Sequence, residues 1–174
     1  MPVCMGKCID LVLEVDSVGL FLLVHGDMCG PMPEKSLGGN RYFVAFKDDF
    51  SKYRTVYLIK EKSEVKEMLS RFLSEMKNAG YMLKELLTDG GGEFNNSEFP
   101  QVIQKESLSH RILMPYTPEQ NGVIERENII LVEAARSMLY ARNLPKKLWA
   151  EAQNTAEYVL NRTGPIPEAG KSPY

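Results

Sequence analysis

The sequence has few of the residues that build metal centres or disulfide frameworks. Three cysteines (Cys4, Cys8 and Cys29) and two histidines (His25 and His110) occur among 174 residues. An odd and sparse set of cysteines is typical of proteins from a reducing compartment and argues against a disulfide-stabilised fold. Cys4 and Cys8 could supply half of a zinc site, but no second cysteine pair completes the usual four ligands. We therefore expect no zinc.

Long hydrophobic runs and a dominant charge of one sign are also missing. The longest apolar stretch near the start, residues 18–24, is far shorter than the roughly 20 residues that cross a bilayer. Asp10, Glu14 and Asp16 interrupt the segment before it, which argues against a signal peptide. Basic and acidic side chains number 21 and 23, so the net charge of −2 excludes a broadly basic DNA-coating protein. Any polyanion site must be a local patch, and we expect no membrane partner.

The remaining composition is that of an ordinary globular domain. Apolar residues make up 44% of the chain and charged residues 25%, which argues against disorder and against a long coiled coil. The length fits one domain. Residues 1–19 show no clear pattern, so we expect a poorly defined N-terminal segment followed by a domain over residues 20–174.

Apolar periodicity and turn residues predict five strands and four helices. Runs rich in β-branched and aromatic residues predict strands at residues 20–24, 41–46, 53–59, 81–87 and 109–114. Helical spacing of apolar residues predicts helices at residues 64–78, 97–105, 123–142 and 149–160. The second and third strands should form an antiparallel hairpin. A meander followed by alternating helices and strands predicts an α/β fold with a mixed sheet and helices packed on it.

The third helix has two alternative starts. Thr117 could cap a helix that has Gln120 at its third position. Gly122 lies so close to that position that we favour a start near residue 123, which leaves residues 115–122 as a loop.

Three acids occupy positions where catalysis is common. Asp27 lies at the end of the first predicted strand, Asp89 follows the fourth and opens a glycine run, and Glu125 lies early in the long helix. If they converge, each pair at about 4 Å repels by about 4 kcal/mol at an effective dielectric of 20. Such a cluster requires protonation or bound cations, and Mg²⁺ or Mn²⁺ suits oxygen ligands. Two such ions can stabilise the attacking and leaving oxygens at a phosphodiester.

Each acid also has an ordinary structural interpretation. Asp27 could be a turn or cap residue, and Glu125 could interact with the helix dipole. Asp89 could open a phosphate-binding loop, although residues 92–94 lack the lysine and hydroxyl residue that such a loop needs. The residues alone therefore indicate an α/β domain with a candidate metal site.

Several motifs occur together along most of the chain. Residues 25–31 read HGDMCGP, residues 88–94 read TDGGGEF, and the most specific run is PYTPEQNGVIER at residues 115–126, followed by EAARSML at residues 133–139. Thirty-five residues separate Asp89 from Glu125. In these motifs and this spacing, residues 20–174 resemble the integrase core of copia-type (Pseudoviridae-like) retrotransposons, within the retroviral integrase superfamily.

The resemblance implies an RNase H-like fold, with a five-stranded mixed sheet flanked by helices. It implies a polynucleotidyl transferase with associated endonuclease activity, in which Asp27, Asp89 and Glu125 bind two Mg²⁺ or Mn²⁺ ions. Such enzymes trim the 3′ ends of element DNA with water and then use the 3′-hydroxyl to attack target DNA. The implied partners are element ends, target DNA and further copies of the chain, and the implied location is the nucleus.

Four residues near Glu125 are candidates for contact with DNA. Gln120 and Asn121 lie in the predicted loop that corresponds to the family's mobile loop, and Arg126 follows the glutamate directly. Asn128, three residues beyond Glu125, shares its helix face.

The sequence also departs from the copia-type pattern. Ile129 stands where the family usually has a basic residue, which should weaken DNA binding. Lys47 replaces an apolar strand residue, and Ser107 with Leu108 replaces a usual glycine turn. The family's N-terminal zinc-binding module and downstream DNA-binding region are missing, so we expect a fragment truncated at its C-terminus.

Two other functions stay open, and the departures favour the first of them. The first is a catalytically inactive remnant that retains the fold and only binds nucleic acid or protein. The second is a nuclease of the same fold that acts on RNA–DNA hybrids, which the sequence context of Glu125 and its spacing from Asp89 disfavour.

Overall fold

A computed structural model describes residues 23–89, 91, 94, 99–112, 118–164 and 172–173, with only the backbone of residues 99, 118–125 and 127. The strands are β1 (Leu23–Cys29), β2 (Tyr42–Asp48), β3 (Arg54–Ile59), β4 (Glu85–Thr88) and β5 (Ser109–Ile112). The helices are α1 (Val65–Asn78), α2 (Phe99–Lys105), α3 (Pro118–Ala141) and α4 (Trp149–Thr163). This order of elements confirms the sequence-based prediction. In the described parts of the chain, no helix is long and apolar enough to cross a bilayer.

The five strands form one mixed sheet in the order β3-β2-β1-β4-β5. Strands β1, β2 and β3 form an antiparallel meander, which confirms the predicted hairpin. Strand β4 pairs in parallel with both β1 and β5. Parallel neighbours need a crossover connection, and the segments that contain α1 and α2 supply these crossovers before β4 and β5.

The two faces of the sheet bury different cores. Because side chains alternate along a strand, Val24 of β1 faces the α1 side with Phe46, whose ring stacks on Phe72 at a centroid distance of 4.7 Å. A Cβ at Gly26 would lie 3.1 Å from the ring of Phe46, so the close packing on this side favours glycine. The opposite face of β1, with Cys29 at its end, packs toward α3 and α4.

Strand β1 extends further than the sequence predicted. The prediction placed it at residues 20–24, of which residues 20–22 lie outside the described part of the chain. The observed strand continues to Cys29, because residues 24–29 pair with β2 in an unbroken register. Asp27 therefore lies inside the strand rather than after it. Strand β4 is shorter than predicted, since regular pairing with β1 and β5 begins only at Glu85.

Helix α3 begins earlier than the favoured prediction. It starts at Pro118, so the loop predicted over residues 115–122 is wrong from residue 118 onward. Proline is well tolerated at the first helical position. Gly122 inside the helix costs about 1 kcal/mol relative to alanine. Burial of Leu131 and Ala135 further along the same helix offsets that cost.

Two of the unusual positions noted in the sequence have structural consequences. Ser107, in the turn between α2 and β5, has a φ of 52°. This left-handed conformation costs an L-residue roughly 1–2 kcal/mol, which explains why a glycine suits the position better. Lys47 is half-buried within β2.

Asn161 of α4 closes part of the outer edge of the sheet. Its Nδ2 donates to the carbonyl of Arg54 at 2.8 Å, and its Oδ1 accepts from the N–H of Arg54 at 3.0 Å. The side-chain amide thus takes the place of a neighbouring strand on β3. Both residues are buried, so this pairing protects backbone groups that an open edge would expose.

We predict that Asn161→Ala lowers the free energy of unfolding by roughly 1–3 kcal/mol, because it removes the two hydrogen bonds that Asn161 makes with the buried N–H and C=O of Arg54. Urea denaturation followed by circular dichroism measures the change. The matched control is Asn154→Ala, an exposed asparagine of the same helix, for which we expect a change within about 0.5 kcal/mol. Equal stability of the two variants would contradict the role given to Asn161.

Candidate metal centre

Two aspartates directly follow a pair of residues that join neighbouring strands of the sheet. Gly26 of β1 pairs in parallel register with Thr88 of β4. Asp27 and Asp89 are the next residues of the two chains. Because side chains alternate and neighbouring strands are about 4.8 Å apart, both carboxylates emerge on the same face at adjacent positions. This is the face that α3 covers.

Asn128 of α3 holds Asp27 in place. The Nδ2 of Asn128 donates to Oδ2 of Asp27 at 2.5 Å, and the backbone N–H of Met28 donates to the other carboxylate oxygen at 2.7 Å. Asn128 is 8% exposed. Its Oδ1 is buried and has no hydrogen-bond partner among the described residues. This contact differs from the predicted contact of Asn128 with DNA; the i+3 spacing from Glu125 indicated only the shared helix face.

Asp89 is held by the chain that follows it. Its Oδ1 accepts a hydrogen bond from the N–H of Gly91 at 3.2 Å. In the preceding residue, the fully buried Thr88, the hydroxyl oxygen lies 2.9 Å from Nε2 of His110. Burial lowers the pKa of His110, which favours a neutral imidazole that supports β4 without adding positive charge.

Glu125 lies on α3 one turn before Asn128, with its side chain outside the described part. Helical geometry places the two residues about 4.5 Å apart along the axis and on one face. Among the described side chains, no group of three or more histidines, cysteines or acids could hold a metal ion.

The other candidates for contact with DNA lie around Glu125. Gln120 and Asn121 belong to the first turns of α3 rather than to a loop, and their side chains lie outside the described part. Arg126 is exposed on the same helix.

The histidine and the cysteine near Asp27 both have shifted pKa values. His25 is buried, and its Nε2 lies 3.3 Å from Oδ1 of Asp49. Burial lowers the pKa of His25, and the charge of Asp49 opposes that shift. Burial raises the pKa of Cys29, and the negative charge of Asp27 raises it further, so a metal-binding thiolate is disfavoured. Cys4 and Cys8 lie outside the described residues.

Polyproteins of plant and yeast transposons are similar in sequence to this chain. It is 42% identical over 152 residues to the retrovirus-related Pol polyprotein from transposon TNT 1-94 of Nicotiana tabacum, a match that covers 87% of the chain and 11% of the polyprotein. It is 34% identical over 131 residues to the retrovirus-related Pol polyprotein from transposon RE2 of Arabidopsis thaliana, a match that covers 75% of the chain and 9% of the polyprotein. The Ty1-NL2 Gag-Pol polyprotein of Saccharomyces cerevisiae is 26% identical over 146 residues, a match that covers 81% of the chain and 8% of the polyprotein. The chain thus spans about a tenth of the length of these relatives. No protein-family model matches it.

Solved structures of viral integrases share the fold. The HTLV-2 integrase catalytic core domain in complex with magnesium, in its trimeric form, superposes with a TM-score of 0.66 at 22% identity, covering 90% of this chain and 96% of that one. A chain of a simian T-cell lymphotropic virus intasome in complex with PP2A regulatory subunit B56 gamma gives a TM-score of 0.69 at 22% identity. The superposition covers 89% of this chain and 53% of that one. At this identity the likeness shows the fold alone. The chain therefore belongs to the family of copia-type Pol polyproteins, matched over a segment that has the RNase H-like fold of a retroviral integrase catalytic core.

Proposed function

We propose that this chain is an integrase catalytic core that cuts and joins DNA phosphodiesters with two Mg²⁺ or Mn²⁺ ions held by Asp27, Asp89 and Glu125. The observation that carries the proposal is the register of β1 and β4, in which Gly26 pairs with Thr88, the residues directly before Asp27 and Asp89. Homology to transposon Pol polyproteins supports the substrate class. A structural neighbour described in complex with magnesium supports the choice of ion.

The donor chemistry of the site fits a hard divalent ion. Carboxylate oxygens are the ligands that Mg²⁺ prefers, and Asp27 and Asp89 supply them from one face. The two like charges at neighbouring positions repel each other, and a bound cation removes this repulsion. The buried Oδ1 of Asn128 adds an acceptor at the same place. Softer metals are disfavoured because the nearby Cys29 has a raised pKa.

In the proposed mechanism Asp27, Asp89 and Glu125 would hold the ions, and Asn128 orients the Asp27 carboxylate. When bound, the ions stabilise negative charge on the attacking and leaving oxygens of the phosphodiester. In the first reaction a water oxygen forms a new bond to phosphorus, and the bond to the departing 3′-hydroxyl oxygen, which takes a proton, breaks. In the second, the processed 3′-hydroxyl attacks a target phosphodiester in the same manner.

Binding of DNA would involve the start of α3. Arg126 offers an exposed cation, and Gln120 and Asn121 precede Glu125 in the helix. The structural neighbours are described as dimeric and trimeric cores and as an intasome. By analogy, the chain would act in the nucleus as a homo-oligomer on element ends and target DNA.

One observation favours the alternative of an inactive remnant that only binds nucleic acid or protein. Ile129 is 54% exposed on α3, where copia-type members usually have a basic residue. An isoleucine at this position supplies no cation one turn beyond Glu125. For a protein that neutralises one phosphate fewer, the slope of log binding constant against log salt concentration is smaller in magnitude by about 0.9. A remnant of this kind would keep the fold and would not join DNA ends to target DNA in the presence of Mn²⁺.

We predict that the protein joins the 3′ ends of a duplex oligonucleotide to target DNA in the presence of Mn²⁺. Glu125→Gln should lower the rate by roughly 10²-fold or more, because loss of a metal ligand removes several kcal/mol of transition-state stabilisation. Gel analysis of labelled DNA measures the products. Glu133→Gln, an exposed glutamate two turns further along α3, is the matched control and should keep full activity. Absence of products, or equal rates in the two variants, would contradict the proposal.

We predict that Asn128→Ala slows the same reaction by about 10–100-fold, the usual effect of removing a partner that orients a metal ligand. The Mn²⁺ concentration for half-maximal rate should also rise, which a purely structural role would not change. A titration of the rate with Mn²⁺ separates the two effects. Ser137→Ala, at an exposed position of the same helix, should change neither quantity. An unchanged Mn²⁺ requirement in Asn128→Ala would rule out the positioning role.

A further inference from the structure

Strand β4 is short and ends directly before Asp89. Its four residues run from Glu85 to Thr88. On one side it pairs with β1, and on the other with β5, the outermost strand of the described sheet, whose residues are mostly exposed. The position of Asp89 therefore depends on how firmly Thr88, the last residue of the strand, is held.

A side-chain hydrogen bond across β4 and β5 holds Thr88. In the register of the two strands His110 pairs with Leu86, so Thr88 and His110 are diagonal neighbours on one face. On that face Leu86 belongs to the core beneath α1. Thr88 is fully buried, and its hydroxyl oxygen lies 2.9 Å from Nε2 of His110. The imidazole thus satisfies a hydroxyl that solvent does not reach.

The chain beyond Asp89 is anchored as well. The N–H of Gly91 donates to Oδ1 of Asp89 at 3.2 Å, and the N–H of Phe94 donates to the carbonyl of Gly91 at 3.0 Å. Phe94 is buried in the core beneath α1. Asp89 therefore lies between two anchors, the hydrogen bond of Thr88 and the buried ring of Phe94.

We propose that His110 is a positioning residue for Asp89 and acts through Thr88. Its hydrogen bond fixes the end of β4, and with it the backbone that carries the Asp89 carboxylate. Loss of the bond frees this end of the strand and weakens the hydrogen bond between Asp89 and Gly91. The effect on a bound ion rests on the proposed function, whereas the effect on the position of Asp89 does not.

The hydrogen bond from Gly91 to Asp89 gives a readout that needs no metal. The amide signal of Gly91 is recorded by nitrogen–proton correlation NMR of the full chain in buffer with EDTA, and Asp89→Ala defines its position without this bond. We expect Thr88→Val, which removes the hydroxyl and keeps a similar shape, to move the signal toward that of Asp89→Ala. Thr88→Ser keeps a hydroxyl and should leave the signal near its wild-type position.

Changes at His110 test the other partner of the bond. His110→Leu should move the Gly91 signal in the same direction as Thr88→Val. A glutamine amide can donate or accept a hydrogen bond, so His110→Gln should keep the signal near its wild-type position. Ser109→Ala, at an exposed position of β5, is the matched control and should not move it. An unchanged Gly91 signal in Thr88→Val would overturn the proposal, even if His110→Leu does not fold.

Binding of the ion is measured on the same proteins by calorimetric titration with Mn²⁺. Thr88→Val should raise the Kd for Mn²⁺ by about 3–10-fold, the effect of one hydrogen bond, and Thr88→Ser should leave it unchanged. If the wild type binds no Mn²⁺, the proposed ion site is wrong, and the Gly91 signal still decides the positioning role. If the wild type and Thr88→Val bind Mn²⁺ equally well, the positioning role does not extend to the ion.

Discussion

The parallel pairing of β1 with β4 is the constraint on which the candidate site depends. The pairing joins Gly26 to Thr88, the residues before Asp27 and Asp89. Two carboxylates brought to neighbouring positions repel each other unless a cation or a proton intervenes. The remaining features act on this pair. Asn128 and the N–H of Met28 orient one carboxylate, and the N–H of Gly91 orients the other. Helix α3 brings Glu125 to the same side of the sheet.

Much of this arrangement could be predicted from the sequence, because it follows from local patterns. Runs rich in β-branched and aromatic residues indicated β2 and β3, and the two-residue period of a strand determines which side chains share a face. The apolar spacing in α1 agrees with the burial of Leu69, Phe72 and Met76. The motifs around Asp27, Asp89 and Glu125 indicated the family, and homology to transposon Pol polyproteins confirmed it.

Other features depend on contacts between distant segments, which local patterns do not specify. Strand β1 continues past His25 and Gly26 because β2 pairs with it, although neither residue favours a strand. Helix α3 accepts Gly122 because tertiary packing outweighs helix propensity. The bond from Asn128 to Asp27 joins residues 101 positions apart. The burial of Gln153 in α4, likewise, had no signal in the sequence, since glutamine is usually a surface residue.

The most direct test of the central claim is thermal unfolding with and without Mn²⁺, for the wild type and for Asp89→Asn. An ion at a hundred times its Kd stabilises the folded state by about 2.7 kcal/mol. For a chain of this length that corresponds to a rise in Tm of roughly 5–10 °C. We expect this rise in the wild type and a much smaller one in Asp89→Asn. Equal shifts in both proteins, or none in either, would show that the carboxylates do not form an ion site.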